Sequence, residues 1–279
     1  MFLLAALPDV LSIDGDRVVL HLSMFAADIG GFFRYMLGGD SFLYRAAHTN
    51  MPFRSVLSDI VRPFLTSFAY AGVSAVAATF IGTVGGMLVV AFRKEQAKDV
   101  VSLFGIVPDF VMILVLQLIV VAVYKTTGVH VARVATITRD EPALLLPLLI
   151  LTLIPAVFIL RSISNRTYMV TTEDFVLVAR AQGLSRFAVY RRHVLPHVLA
   201  ALQADLHKVT ALVLGNLFIT EYLFNIQGIT RLIFSFSRMG GYQFNLVVTA
   251  FLAILVLYGF LFSVLRLIIR LADSGDGRG

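Results

Sequence analysis

The 279-residue chain contains no cysteine, which excludes both a disulfide framework and a thiolate metal site. Charge is scarce: Asp, Glu, Lys and Arg make up 14% of the residues against 58% hydrophobic ones, and the mean hydropathy is +0.87. A water-soluble domain of this length has no interior large enough to hide that much apolar surface, so the composition points to a bilayer. Signatures of catalysis are missing too. There is no G-x-x-x-x-G-K-S/T phosphate loop, so the chain does not bind ATP by that route, and neither H-E-x-x-H nor G-x-S-x-G occurs. His193 and His197 are four apart, but Pro196 interrupts a helix between them and no carboxylate completes a ligand set. No catalytic, cofactor-binding or metal site is therefore expected. The net charge of +6 does not indicate nucleic acid, because the basic residues are scattered between apolar runs. No internal repeat or low-complexity tract stands out.

What the chain has is long apolar runs. Hydropathy predicts spans at about 66–92, 103–124, 143–161, 206–224 and 246–268, each long enough to cross a core of ~30 Å at ~1.5 Å per residue. The expected fold class is all-α, a polytopic membrane bundle of five complete helices. Short cytoplasmic loops retain positive charge. After residue 92, the connections that would share a side with 161–208 and the C-terminus carry thirteen Lys and Arg, against five on the opposite side. That bias puts the central loop and the C-terminus in the cytoplasm. The segment 1–65 then lies mostly outside the cell. Its first apolar stretch, FLLAALPDVL, offers about ten residues, short of the ~20 a span needs.

Within the spans, Ala78, Gly82 and Gly86 recur on one helical face, a stripe that lets a neighbouring helix approach closely. Pro108, Pro147 and Pro155 can kink helices, either for a pathway or for ordinary bundle geometry. Gln117 and Asn216 are expected to hydrogen-bond between helices. Asp109 lies close to a span and is placed at the cytoplasmic surface.

The most polar interruption is residues 173–197, EDFVLVARAQGLSRFAVYRRHVLPH. Asp174 to Gln182 predicts one short helix ended by Gly183, since glycine readily takes the left-handed conformation that stops a helix. Ala179, Ala181 and Gly183 are small enough for another protein to approach. A second, amphipathic helix follows, with Phe187, Tyr190, Val194 and Val198 on one face and Arg186, Arg191 and Arg192 off it, and Pro196 then bends or restarts the chain. The run A-R-A-Q-G-L-S, with Asp nine residues before the glycine and L-P twelve and thirteen after it, resembles the EAA loop of ABC importer permeases, above all their dipeptide, oligopeptide and nickel branch. Asp174, Ala179, Arg180, Ala181, Gly183, Leu195 and Pro196 fall on the motif. Leu177 and Val178 depart from it, standing where the general consensus has Glu and Ala.

The resemblance implies a type I importer permease over residues 66–271, with a cytoplasmic coupling loop at 162–205 that docks on a separate ATPase. It implies two such ATPase subunits holding ATP and Mg, a second homologous permease, an extracytoplasmic solute-binding protein and a lipid setting. The expected location is a bacterial or archaeal plasma (inner) membrane. It implies transport of peptides or a similar small solute such as a nickel chelate; a secondary transporter or channel is the alternative. Family members begin with a full transmembrane helix, so residues 2–13 are expected to be the tail of one that starts outside this chain. FFRYMLGGDSFLY resembles the family's extracytoplasmic stretch, with a turn at Gly38 and Gly39 and with Phe32, Phe33, Tyr35, Phe42 and Tyr44 suited to a membrane interface. Finally, Glu221, Phe224 and Gly228 match an E-x-x-F-x-x-x-G pattern that closes the fifth family helix on the gate side. Glu221 then either lines the pathway or is a helix-end carboxylate reaching for the interface.

Overall fold

Unbroken apolar sequence leaves the backbone one way to satisfy its own hydrogen bonds within a single segment, and the chain is accordingly dominated by long helices. The computed structural model describes residues 5, 11–14, 17–20, 22–36, 42–45, 53–92, 107–138, 141–239 and 243–274. In order, the elements are β1 (Leu11–Asp14), β2 (Arg17–Leu20), α1 (Leu22–Met36), β3 (Leu43–Arg45), β4 (Phe53–Ser55), α2 (Val56–Ala91), α3 (Asp109–Thr127), α4 (Leu145–Thr171), α5 (Asp174–Ala181), α6 (Arg186–Val189), a π turn (Tyr190–Val194), α7 (Leu195–Leu223), α8 (Ile229–Met239) and α9 (Phe244–Ser274). Among the described residues, five stretches are long and apolar enough to cross a membrane: Val56–Ala91, Phe110–Thr127, Leu145–Thr171, Arg186–Leu223 and Phe244–Ser274. All five expected spans are present as helices.

Their ends differ from the hydropathy reading, because hydropathy reports apolarity rather than helicity. α2 starts ten residues early, since Ser58, Asp59 and Arg62 are polar yet helical. α4 runs on to Thr171 through Arg161 and Arg166. The expected turn at Gly38 and Gly39 lies outside the described residues. Of residues 2–13, Leu11 to Ile13 belong to a strand and not to the tail of a helix: β1 pairs antiparallel with β2, Leu11 opposite Leu20. β3 and β4 form a second small ribbon.

The chain divides into two compact units. The first comprises residues 1–68 and 227–257. Its core gathers Ala5, Phe32, Phe244, Val247 and Val248, with Phe42 and Phe251 packed against them. Phe32 meets Phe42 and Phe244 edge-on at 6.2 Å each, the arrangement aromatic quadrupoles favour. Of the five aromatic residues expected at an interface, Phe32 and Tyr44 are thus buried, Phe42 is half-buried, and Phe33 and Tyr35 are exposed. The Tyr44 hydroxyl donates to Asp59 at 2.8 Å; burial, and then that carboxylate, push the phenol up to about 12. Ser67 Oγ accepts from the Ile229 N–H at 2.9 Å, satisfying one of the orphan donors that open α8.

The second unit comprises residues 69–226 and 258–279. α4 and α7 pack against each other, and Ile150, Ile159 and Ile163 of one and Leu206, Val213 and Leu217 of the other are buried. The small-residue stripe of α2 meets α4: a β-carbon added at Gly82 would lie 2.8 Å from the Ala156 carbonyl, and one at Gly86 2.9 Å from that of Leu160. Ser164 Oγ donates to the Gly86 carbonyl at 3.2 Å. α3 differs, since only 11% of its apolar window is buried; Phe110, Leu114, Leu118 and Ile119 turn outward.

Candidate functional site

The polar interruption folds as two helical pieces around a glycine. α5 spans Asp174–Ala181 with Gln182 as its cap, within a residue of the expected end. Gly183 has φ +83°, its N–H donates to the Arg180 carbonyl at 3.0 Å, and the Leu184 N–H reaches back to Ala179 at 3.3 Å. That five-residue return is a Schellman closure, which needs a left-handed residue at this point. Nothing lies within 4 Å of a β-carbon built on Gly183, so conformation, not space, demands the glycine. Val176 and Ala179 are buried. Ala179 therefore fastens α5 to the bundle and offers no approachable surface, whereas Asp174, Arg180, Ala181 and Gly183 are exposed. The exposed face also carries Phe175, Leu177 and Val178, at 41%, 50% and 55% exposure. The two positions that depart from the consensus are thus apolar side chains facing out.

After Gly183 the second helix does not lie apart as a separate surface element. Ser185 caps it, accepting from the Ala188 N–H at 3.2 Å, and helical backbone then continues from Arg186 to Leu223. Leu195 and Pro196, both half-buried, start α7. A proline there lacks an N–H and its ring would strike the carbonyl four residues back; the π turn just ahead, in which the Leu195 N–H reaches the Tyr190 carbonyl, widens the helix at that point. His193 and His197 lie beside the Phe175 ring, at centroid distances of 6.2 and 5.4 Å. Among the described residues no three His, Asp or Glu side chains gather as a metal site would require.

At the far end of α7, Glu221 and Phe224 are buried, at 1% and 0% exposure. Glu221 is not a carboxylate reaching for the interface; its carbonyl also closes the helix, accepting from the Ile226 N–H at 2.9 Å. Gly228 is buried and belongs to the other unit, just before α8. Around Phe224 a set of hydrogen bonds ties down residues 134, 136 and 143 between α3 and α4. The Thr136 N–H donates to the Phe224 carbonyl at 2.8 Å, the Asn225 amide to the Thr136 carbonyl at 2.8 Å, and the Gln117 amide to the Val134 carbonyl at 2.8 Å. Tyr70 donates to the Ala143 carbonyl at 2.6 Å, and the Ala143 N–H to Thr136 Oγ1 at 3.1 Å. Gln117 also reaches the Leu223 carbonyl of α7 at 3.5 Å, a bond between helices as expected, while Asn216 makes none: its Nδ2 is buried without a partner.

A helical membrane bundle with a glycine-closed helix exposed beyond its spans matches the sequence profile of a family described as binding-protein-dependent transport system inner membrane component, over residues 78–275. The chain belongs to that family. It is similar to the dipeptide transport system permease protein DppB of Bacillus subtilis (strain 168), 24% identical over 211 residues that make 74% of this chain and 66% of that protein. It also resembles the putrescine export system permease protein SapB of Escherichia coli (strain K12), 30% identical over 99 residues, 36% of this chain and 31% of SapB. The chain thus matches just under two thirds of the first relative's length and about a third of the second's. Among solved structures, the MetNI methionine ABC transporter in inward-facing conformations aligns with a TM-score of 0.58 at 17% identity, covering 78% of this chain and 97% of that one. That likeness shows the fold of an ABC importer permease, in a multi-pass membrane protein.

For a permease of this family, the resemblance passed over the polar residues that join α7 to α4 and α9. Ser162 on α4 donates to Asp205 on α7 at 2.5 Å, and Lys208 pairs with the same carboxylate at 3.7 Å. His207 stacks on Phe262 at 4.4 Å and lies 2.6 Å from the Tyr258 hydroxyl. The signal was present in the sequence as an acid just ahead of the expected span 206–224 and a histidine at its second residue, where polar groups need protein partners.

Proposed function

We propose that this chain is a membrane-spanning subunit of an ATP-driven importer, and that the loop 174–196 couples it to a separate ATPase subunit, the exposed face of α5 seating on that subunit and the rest of the loop passing its closure into α4 and α7. What supports the docking reading is the shape of α5. It is held by two buried residues, presents three exposed apolar side chains, and is joined through the Ser185-capped helix directly to α7. The assembly we propose adds a second homologous permease, two ATPase subunits holding ATP and Mg, and an extracytoplasmic solute-binding protein. Family membership favours this over a secondary transporter or channel. For cargo, the names of the relatives favour peptides or another small solute, nickel chelates included. Glu221, Phe224 and Gly228 are proposed to shape the gate side, with the C-terminus in the cytoplasm of a bacterial or archaeal inner membrane.

Gly183→Val tests the coupling. A β-branched residue resists φ +83° at a cost of roughly 1–3 kcal/mol, so α5 loses its closure while the spans insert unchanged. In proteoliposomes of the complex, transport-linked ATP hydrolysis should fall steeply. Gly183→Asn, which tolerates the left-handed region, should keep most of it. Unchanged coupled hydrolysis in Gly183→Val would refute the docking role.

A further inference from the structure

Where α2 ends against the start of α6, a groove of about 600 Å³ opens, lined by Leu88 and Phe92 on one side and Phe187 and Leu195 on the other, with Arg186 and Arg191 in its wall. The lining is otherwise apolar, yet Phe92 and Phe187 are 67% and 75% exposed. Both arginines are exposed as well, so two positive charges belong to a lining that water reaches. On the α2 side the groove lies where the apolar run 66–92 closes, the level at which hydrocarbon gives way to headgroups. An apolar segment of a partner protein seated here would set two guanidinium groups against hydrocarbon, which membranes strongly disfavour. An acyl chain with a phosphate at its end satisfies both parts: the chain covers the phenylalanines, and the phosphate accepts forked hydrogen bonds from arginine.

We propose that this groove binds an anionic phospholipid, whose phosphate ties the α6 end of the loop to the membrane surface. The site is distinct from the exposed face of α5, and it does not depend on what that face docks against. Basic pockets between transmembrane helices are the expected form of such recognition.

The chain has no tryptophan, so Phe92→Trp places a reporter in the groove, and subtracting the parent complex removes the fluorescence of any partner. The complex, purified through a tag on this chain, would be placed in nanodiscs containing brominated phosphatidylglycerol or brominated phosphatidylcholine. Quenching should reach half its maximum at about tenfold lower mole fraction of the anionic lipid. In Arg186→Gln/Arg191→Gln the two lipids should quench alike. A second reporter, Leu118→Trp on the outward face of α3, should show no preference. Equal quenching in the unaltered groove, no quenching by either lipid, a preference surviving in the double variant, or the same preference at residue 118 would each overturn the proposal.

Discussion

At Gly82 an added β-carbon would lie 2.6 Å from the Cβ of Ile159 and 2.8 Å from the Ala156 carbonyl, neither of which can turn aside. Gly82→Leu should therefore push α4 off α2 and cost about 1–3 kcal/mol, seen as a lower unfolding midpoint in detergent. Gly72→Ala, whose nearest neighbour is 3.8 Å away, should change it little. This close approach was legible in the spacing of Ala78, Gly82 and Gly86; which helix filled it was not, because no local pattern names a partner. Asn216 is the opposite case. Its sequence suggested an interhelical bond, yet Nδ2 is buried and unsatisfied, a burden of about 1–3 kcal/mol. Asn216→Leu, similar in volume, should hold or raise the unfolding midpoint; a marked drop would show that the amide is satisfied in the membrane. For Glu221, buried at the end of α7, a role in shape and hydrogen bonding has a distinct signature. Glu221→Gln should keep most ATP-driven transport and Glu221→Leu should lose more at equal assembly. Equal inactivity of both would mean that the charge itself is needed.

Elements show where reading by hydropathy stops. The five spans announce themselves by apolar length, and α5 by Gly183, but α1, at 15 residues, is too short to read as a span, and α8, at 11, is shorter still and strongly amphipathic. The π turn was hidden for another reason. Pro196 reads as a break, and only the three-dimensional helix reveals that widening one turn lets the chain run on from Arg186 to Leu223. The join between α4 and α7 near the loop rests on Ser162 and Asp205. Asp205→Ala should cost about 1–2 kcal/mol by leaving the serine without its acceptor, and Asp205→Asn, which keeps an oxygen there, should cost less; thermal unfolding of the two variants separates them.

For the whole molecule, composition alone placed the chain in a bilayer, and the charge bias proposes its orientation. Because the chain is free of cysteine, Ser185→Cys and Ser237→Cys are single reporters. An impermeant thiol reagent added to intact cells should label residue 237 and spare residue 185, and the reverse pattern would invert the topology. The claim that organises the account is that α5 seats on an ATPase. Leu177→Cys puts one thiol on the exposed face of α5, and Leu118→Cys puts one on the outward face of α3 as a control. Treating each complex with a short bifunctional thiol-to-amine reagent and identifying the joined subunit tests the seating directly. The account predicts that residue 177, and not residue 118, cross-links to a subunit that hydrolyses ATP; a hydrolysing subunit that joins at residue 118 and never at residue 177 would contradict it.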